Sequence, residues 1–324
     1  MTKQRQPIST PGLAVWVKKR WIAVGDKRYR ARLYAQSLPA YRQALRLDPH
    51  DAYAHYRMGL ALYALKRYKQ AFHALDQALF LAPNEAVKPG VYYYQGNCFF
   101  LLNCYEKALA AYERALAGIS DETIKIRAYH CMGDTLIVLK RYEEALGAYE
   151  QAIGLVSGDA PVHFKKGLAQ GMLERYEEAL SACEQAISLD PTWAESYYIK
   201  GCILSHLERH EEAILAYEQA IHCDPQLAYV YISKGEELDY LERYEQSLEA
   251  YSLAIQVNPG DSYPYVRKGN ALYRLKRYEQ SLEVYSLAIQ VNPDDTYAYS
   301  CRDAVLNVLK RSGWTGSGSS TSPL

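Results

Sequence analysis

The sequence predicts an all-α protein built from about eight repeated units of two helices each. Three observations support this prediction. A glycine recurs every 34 or 37 residues, and other residues keep fixed distances from that glycine. Within each unit, the shared positions follow the three- and four-residue spacing of an α-helix.

The first helix of each unit is marked by the recurring glycine. These glycines are Gly25, Gly59, Gly96, Gly133, Gly167, Gly201, Gly235 and Gly269. Four residues before each glycine stands an aromatic residue or a histidine. Nine residues after it, at the start of the second helix, stands a tyrosine in every unit except one, where His210 replaces it. The repeat thus explains why the chain has 31 tyrosines but only five phenylalanines.

The second helix of each unit has small residues at fixed positions. An alanine stands nineteen residues after every glycine, from Ala44 to Ala288, and a proline follows the helix in six of the eight units. Proline ends a helix because it cannot donate the next backbone hydrogen bond. A glycine inside a helix costs about 1 kcal/mol relative to alanine. We expect the alanines of the second helix to offset this cost by letting the two helices approach closely.

This arrangement closely resembles the tetratricopeptide repeat family, whose unit of 34 residues has the same landmarks. The resemblance covers residues 18 to about 311 and implies a right-handed α-solenoid. The predicted repeats begin near residues 18, 52, 89, 126, 160, 194, 228 and 262. A further helix at 296–311 has no second helix and is expected to cap the array. We expect residues 1–17 to be mobile and the Gly/Ser-rich tail, 312–324, to be disordered.

Composition restricts the class of protein. The net charge is zero, but the first 50 residues hold eleven Lys and Arg against two acids, so this end has a charge of +9 and the rest −9. Two interpretations stay open: steering of an acidic partner, or a solvated basic face.

Seven cysteines without a Cys-x-x-Cys pair indicate a reducing compartment. No apolar run near the start is long enough for a signal peptide or a membrane span, so we expect a soluble, cytoplasmic protein with no membrane partner.

Motifs for chemistry are missing from the sequence. It has no nucleophile elbow, no phosphate-binding glycine loop and no His-Glu-x-x-His. Pairs of glutamates begin several second helices, where negative charge favours the helix dipole. We interpret Cys98 as a small core residue, and His55, His163 and His210 as core histidines. The prediction is a protein that is not an enzyme and that has no cofactor and no metal.

The resemblance also implies where a partner binds. In the family, the stripe of each first helix that adjoins the landmark stripe lines a concave groove. The candidate residues of this stripe are Tyr53, Tyr56, Arg57, Leu60, Tyr63, Tyr93, Tyr94, Asn97, Phe100, Arg127, His130, Asp134, Lys165, Tyr198, Glu236, Arg267, Asn270 and Arg274. Exposed aromatic side chains are typical anchors, so the second and third repeats are the first candidates. The alternative is that several of these rings pack between neighbouring repeats.

The resulting functional hypothesis is a non-catalytic scaffold or adaptor that binds a peptide or a helix of a partner protein in the groove. No small-molecule substrate is expected. One alternative is a regulatory or sensor subunit that controls a separate kinase or protease. Another is nucleic-acid binding through the basic N-terminal end. The aromatic residues are not interleaved with the basic residues there, which counts against this alternative. Self-association is left open.

Overall fold

The computed structural model describes residues 10–82 and 88–311. The described residues form seventeen α-helices and no strand, which confirms the all-α class. The first helix begins at Thr10, eight residues before the predicted start at residue 18. The predicted mobile segment is therefore helical from Thr10 onwards. Residues 1–9 and the predicted disordered tail lie outside the described residues.

The chain divides into two compact units of structure, and the first comprises the residues up to Ala169. Its helices are α1 Thr10–Arg30, α2 Tyr34–Leu47, α3 Ala52–Ala64, α4 Tyr68–Leu81, α5 Lys88–Leu101, α6 Tyr105–Leu116, α7 Glu122–Val138, α8 Tyr142–Leu155 and α9 Ala160–Met172, in which the division falls. Helices next to each other in sequence pack as antiparallel pairs, such as α1 with α2 and α3 with α4.

The second compact unit begins at Gln170. Its helices are α10 Tyr176–Leu189, α11 Ala194–His206, α12 His210–Cys223, α13 Ala228–Tyr240, α14 Tyr244–Val257, α15 Tyr263–Arg274, α16 Tyr278–Val291 and α17 Thr296–Arg311. Each second helix here also contacts the next first helix, for example α14 with α15 and α16 with α17. Helix α17 has Ala298, Val305 and Leu309 buried on its inner side.

The turn between the two helices of a repeat contains one residue in the left-handed region. The backbone φ of these eight residues lies between 56° and 60°. They are Arg32, Lys66, Asn103, Lys140, Glu174, Glu208, Glu242 and Lys276. None is a glycine, although glycine adopts this conformation without steric cost. The rest of the fold therefore holds each of these turns in a conformation that its own residue disfavours.

The core explains the recurring glycine, and it corrects our expectation. In six repeats, a Cβ atom on the glycine would overlap the ring of the tyrosine sixteen residues later. The pairs are Gly25 with Tyr41, Gly96 with Tyr112, Gly133 with Tyr149, Gly201 with Tyr217, Gly235 with Tyr251 and Gly269 with Tyr285. The alanines at plus nineteen are buried too, but the glycine faces the ring. The expected alanine partner was therefore wrong: the glycine makes room for a buried aromatic side chain.

Candidate partner-binding surface

The first helices carry all the residues predicted to bind a partner. Along each of these helices the side chains at the predicted positions lie beside the packed landmark stripe. The structure places them in four different situations, which determine how many are free to bind. Some pack against each other, some accept hydrogen bonds from buried tyrosines, some form ion pairs between repeats, and some line a cleft.

The aromatic residues of the second and third repeats largely pack against each other. The ring centroid of Tyr94 lies 6.4 Å from that of Tyr56, 5.7 Å from that of Tyr63 and 5.0 Å from that of Tyr93, all in edge-to-face geometry. Burial raises the pKa of Tyr63 to about 12. These rings stabilise the contact between α3 and α5, which leaves less of their area for a partner.

Other predicted residues of this region differ in exposure. Leu60 and Tyr93 are buried, whereas Tyr53 is exposed. Phe100 makes an edge contact with Tyr105, with ring centroids 5.5 Å apart. A small cavity of about 180 Å³ lies beside Phe100 and Tyr63. The exposed ring of Tyr53 does not reach this cavity and lines a separate one of about 330 Å³.

Three predicted polar residues accept hydrogen bonds from buried tyrosines. The Tyr112 hydroxyl donates to Asn97 Oδ1 at 2.7 Å, the Tyr149 hydroxyl to Asp134 at 2.8 Å, and the Tyr285 hydroxyl to Asn270 at 2.6 Å. A buried hydroxyl needs a partner, so Asn97, Asp134 and Asn270 are part of the fold. Sequence reasoning missed this role. The signal was present, because each of these residues directly follows a landmark glycine, fifteen residues before a tyrosine.

Predicted charged residues form ion pairs between neighbouring repeats. Asp26 accepts from Arg57 Nε at 2.6 Å and from the Tyr53 hydroxyl at 3.0 Å. The same arrangement recurs in the second unit. There Glu236 lies 3.3 Å from Arg267 Nε and accepts from the Tyr263 hydroxyl at 2.6 Å.

Within the first unit, Lys165 Nζ lies 3.3 Å from Asp134. Arg57, Lys165, Glu236 and Arg267 are thus neutralised by the adjacent repeat. Their charge is less available to a partner than the sequence suggested.

The remaining predicted residues of the middle repeats are mixed. Arg127 is exposed. His130 Nε2 lies 3.9 Å from Asp134, and its ring packs edge-on against Tyr149. Tyr198 packs against Tyr217 and Tyr229, and burial raises its pKa to about 12.

A cleft on the first-helix side lies in the second unit, between α13, α15 and α17. Its volume is about 650 Å³, and four predicted residues line it: Glu236, Arg267, Asn270 and Arg274. Five tyrosines line it as well, and three of them are exposed to different extents. Tyr240 is 67% exposed, Tyr297 58% and Tyr273 37%. Tyr297 was missed, although it occupies the position of Tyr263 one repeat later.

His210 packs against Tyr240, one of the tyrosines that line this cleft. His210 Nδ1 lies 2.7 Å from a carboxylate oxygen of the buried Glu237, and the ring of Tyr240 packs over His210 with centroids 4.0 Å apart. The interpretation of His210 as a core histidine agrees with this placement. His55 and His163 each place Nε2 2.9 Å from a backbone carbonyl six residues earlier.

Within residues 10–82 and 88–311, no three His, Cys, Asp or Glu side chains lie together in a way that would hold a metal ion. None of the helices in this described part combines the length and the apolar character needed to cross a membrane.

The paired helices and their interlocking glycines and tyrosines define a helical repeat protein. Comparison with family models identifies the repeat. Models of the tetratricopeptide repeat match residues 24–86 and 232–296, residues 194–227, and residues 89–117 and 160–193. Together these matches span more than half of the chain, and the chain belongs to the tetratricopeptide repeat family.

Solved structures show the same fold. YrrB, described as a TPR protein with an unusual peptide-binding site, is 24% identical, with a TM-score of 0.51 over 59% of this chain and 95% of YrrB. The C-terminal part of a TPR repeat-containing protein from Cytophaga hutchinsonii is 16% identical, with a TM-score of 0.57 over 86% and 98%. PilF of Pseudomonas aeruginosa is 17% identical, with a TM-score of 0.56 over 65% and 94%. No curated protein sequence matches the chain significantly.

Proposed function

We propose that the chain is a non-catalytic protein-interaction scaffold, and that the cleft between α13, α15 and α17 binds a peptide segment of a partner protein. The observation that carries this proposal is the cluster of exposed tyrosines, Tyr240, Tyr273 and Tyr297, around a single cleft. Elsewhere on the first helices, most tyrosines are used in packing. Tyrosine suits an anchoring role because it offers a rigid apolar face with a hydrogen-bonding tip.

The charges of the cleft indicate how a segment would be oriented. On the floor, Arg267 lies 3.3 Å from Glu236 and 4.0 Å from Asp239, so two carboxylates share one guanidinium. Arg274 is exposed at the end of α15 and makes no ion pair within the described residues. A carboxylate of the partner would pair with Arg274, while apolar side chains would pack on the tyrosines. A volume of about 650 Å³ is large enough for a few side chains.

The first unit offers a weaker site. Its exposed ring, Tyr53, already donates to Asp26, and the cavity that Tyr53 lines has about half the volume of the cleft in the second unit, about 330 Å³. We therefore place the main contact in the second unit. The fold shared with YrrB is compatible with peptide binding, and the proposal rests on the cleft itself.

The proposal is tested by selecting binders from a random peptide library displayed on phage, with the purified chain as the target. Labelled copies of the selected peptides are then titrated by fluorescence anisotropy. We expect Tyr240→Ala and Arg274→Ala each to weaken binding about tenfold or more, as for a central interface residue. Leu215→Ala, which removes an exposed side chain on the second helix α12, is the matched control and should bind normally. Failure to select any binder, or equal binding by all variants, would reject the cleft.

A further inference from the structure

Helix α1 extends beyond the helix that supports it. It has 21 residues, whereas its partner α2 has 14, so at 1.5 Å per residue α1 is longer by roughly 10 Å. The end of α2 is marked by Asp48, which accepts from Lys18 Nζ at 2.8 Å. The turns of α1 before Lys18 therefore lie past the end of α2.

These protruding turns carry large apolar side chains on several sides. Leu13 and Val15 are each 49% exposed, and Trp16 is 55% exposed. Successive residues of an α-helix are rotated by roughly 100°, so Leu13 and Val15 point in nearly opposite directions. A helix that packs on another protein presents its apolar residues as one stripe. The end of α1 instead forms an apolar wedge.

A basic stripe follows the wedge along the outward side of α1. Lys19, Arg20, Lys27 and Arg30 are all exposed, and none of them has an ion pair within the described residues. The guanidinium of Arg20 lies 5.4 Å from the centre of the Trp16 ring. The one acid of this helix, Asp26, is occupied by Arg57. The charged side chains on the outward face of α1 are therefore all positive.

We propose that α1 docks the protein on an anionic phospholipid surface, with Leu13, Val15 and Trp16 inserted at the interface and the basic stripe on the headgroups. Acyl chains accept apolar side chains in any direction, and tryptophan favours the level of the headgroups. Anionic headgroups attract clustered Lys and Arg. A nucleic acid would leave the aliphatic Leu13 and Val15 without a partner, and an acidic protein would contact one face of the wedge.

This docking needs no membrane-spanning segment, so it is compatible with the absence of a spanning helix in the described residues. It revises the expectation from the sequence that the protein has no membrane partner. It is also independent of the proposed peptide cleft, because α1 lies in the other compact unit of structure.

The test is co-sedimentation of the full chain with vesicles of phosphatidylcholine alone and with about 30 mol% phosphatidylserine. We expect binding to be about tenfold or more stronger with phosphatidylserine, with a blue shift of tryptophan emission. Two variants separate the contributions. One is Leu13→Ser/Val15→Ser/Trp16→Ser, which keeps the charge, and the other is Lys19→Gln/Arg20→Gln, which keeps the wedge. The matched control, Lys310→Gln/Arg311→Gln, removes two exposed charges from the end of α17.

Both α1 variants should lose most of their binding, and the control should retain it, with helical circular dichroism unchanged in all of them. Three outcomes would overturn the proposal. They are no binding to phosphatidylserine vesicles, binding that the serine variant keeps, and tighter binding of the same surface to duplex DNA or to polyglutamate than to vesicles.

Discussion

The ring of Tyr149 occupies the space that a side chain on Gly133 would need. A Cβ atom at Gly133 would overlap three atoms of this ring, and Tyr149 is completely buried. The ring is held in place at its other end, because its hydroxyl donates to Asp134. The glycine, the ring and the carboxylate thus form one packing arrangement. The same arrangement recurs in other repeats, where a different side chain accepts the hydrogen bond of the tyrosine.

Gly133→Ala should lower the free energy of unfolding by about 1–3 kcal/mol, because the added methyl overpacks the contact with Tyr149. Gly147 lies nearby in α8, and a Cβ there would meet nothing within 4 Å. Gly147→Ala should therefore raise stability by about 0.5–1 kcal/mol through helix propensity. Urea denaturation followed by circular dichroism measures both. Equal effects of the two substitutions would show that the ring moves aside freely.

Tyr112→Phe should destabilise the protein by about 1–3 kcal/mol, because it leaves the buried Asn97 Oδ1 without its donor. The control is Tyr105→Phe in the same helix, whose hydroxyl donates to the side chain of Asn103 at an exposed position. This change should cost less than about 0.5 kcal/mol. Thermal unfolding of both variants tests the prediction, and similar melting temperatures would contradict it.

Glu242→Gly should stabilise the turn before α14 by about 0.5–1 kcal/mol, because residue 242 has a φ of 56° and glycine adopts it without strain. Glu249→Gly, at an exposed position inside α14, should have the opposite sign and cost about 1 kcal/mol. Chemical denaturation distinguishes them. Destabilisation by both would mean that one effect of glycine outweighs the other. Glycine gives the unfolded chain more conformational entropy, and this cost would then exceed the gain from relieving strain in the turn.

The protein should be sensitive to alkaline pH. Burial raises the pKa of Tyr63 and of Tyr198 to about 12, and it raises those of the core tyrosines further. A folded pKa above the unfolded value of about 10 means that the stabilisation is complete below pH 10 and is lost as the pH rises above it. Tyrosinate absorbance of these residues should therefore appear together with loss of helical circular dichroism. Full ionisation of all tyrosines while the helices persist would contradict this.

The fold was predictable from the sequence to a large extent. The repeat of glycine, tyrosine, alanine and proline predicted paired helices, and the described residues contain them. The reason assigned to the glycine was wrong, because periodicity shows which positions face the core but not which core residues touch. The start of α1 was also missed, since its first turns lie outside the repeat.

The candidate site was less predictable. The stripe of first-helix positions was assigned to a partner. Asn97, Asp134 and Asn270 instead accept hydrogen bonds from buried tyrosines, and Arg57 donates to Asp26. A polar residue at a surface position looks the same in sequence whether its hydrogen bonds go to a partner or to the next repeat. The predicted use of the second and third repeats stays a prediction, and the open cleft lies elsewhere.

The sequence by itself determined the helical repeat, because spacing alone encodes which side of each helix is apolar and where each helix ends. Only the tertiary structure decided which tyrosines are anchors of the core and which remain exposed. Tyr112 and Tyr240 are the same residue type, but one is enclosed by two helices and the other stands at the rim of a cleft. That difference depends on what packs against each ring, which only the assembled fold provides.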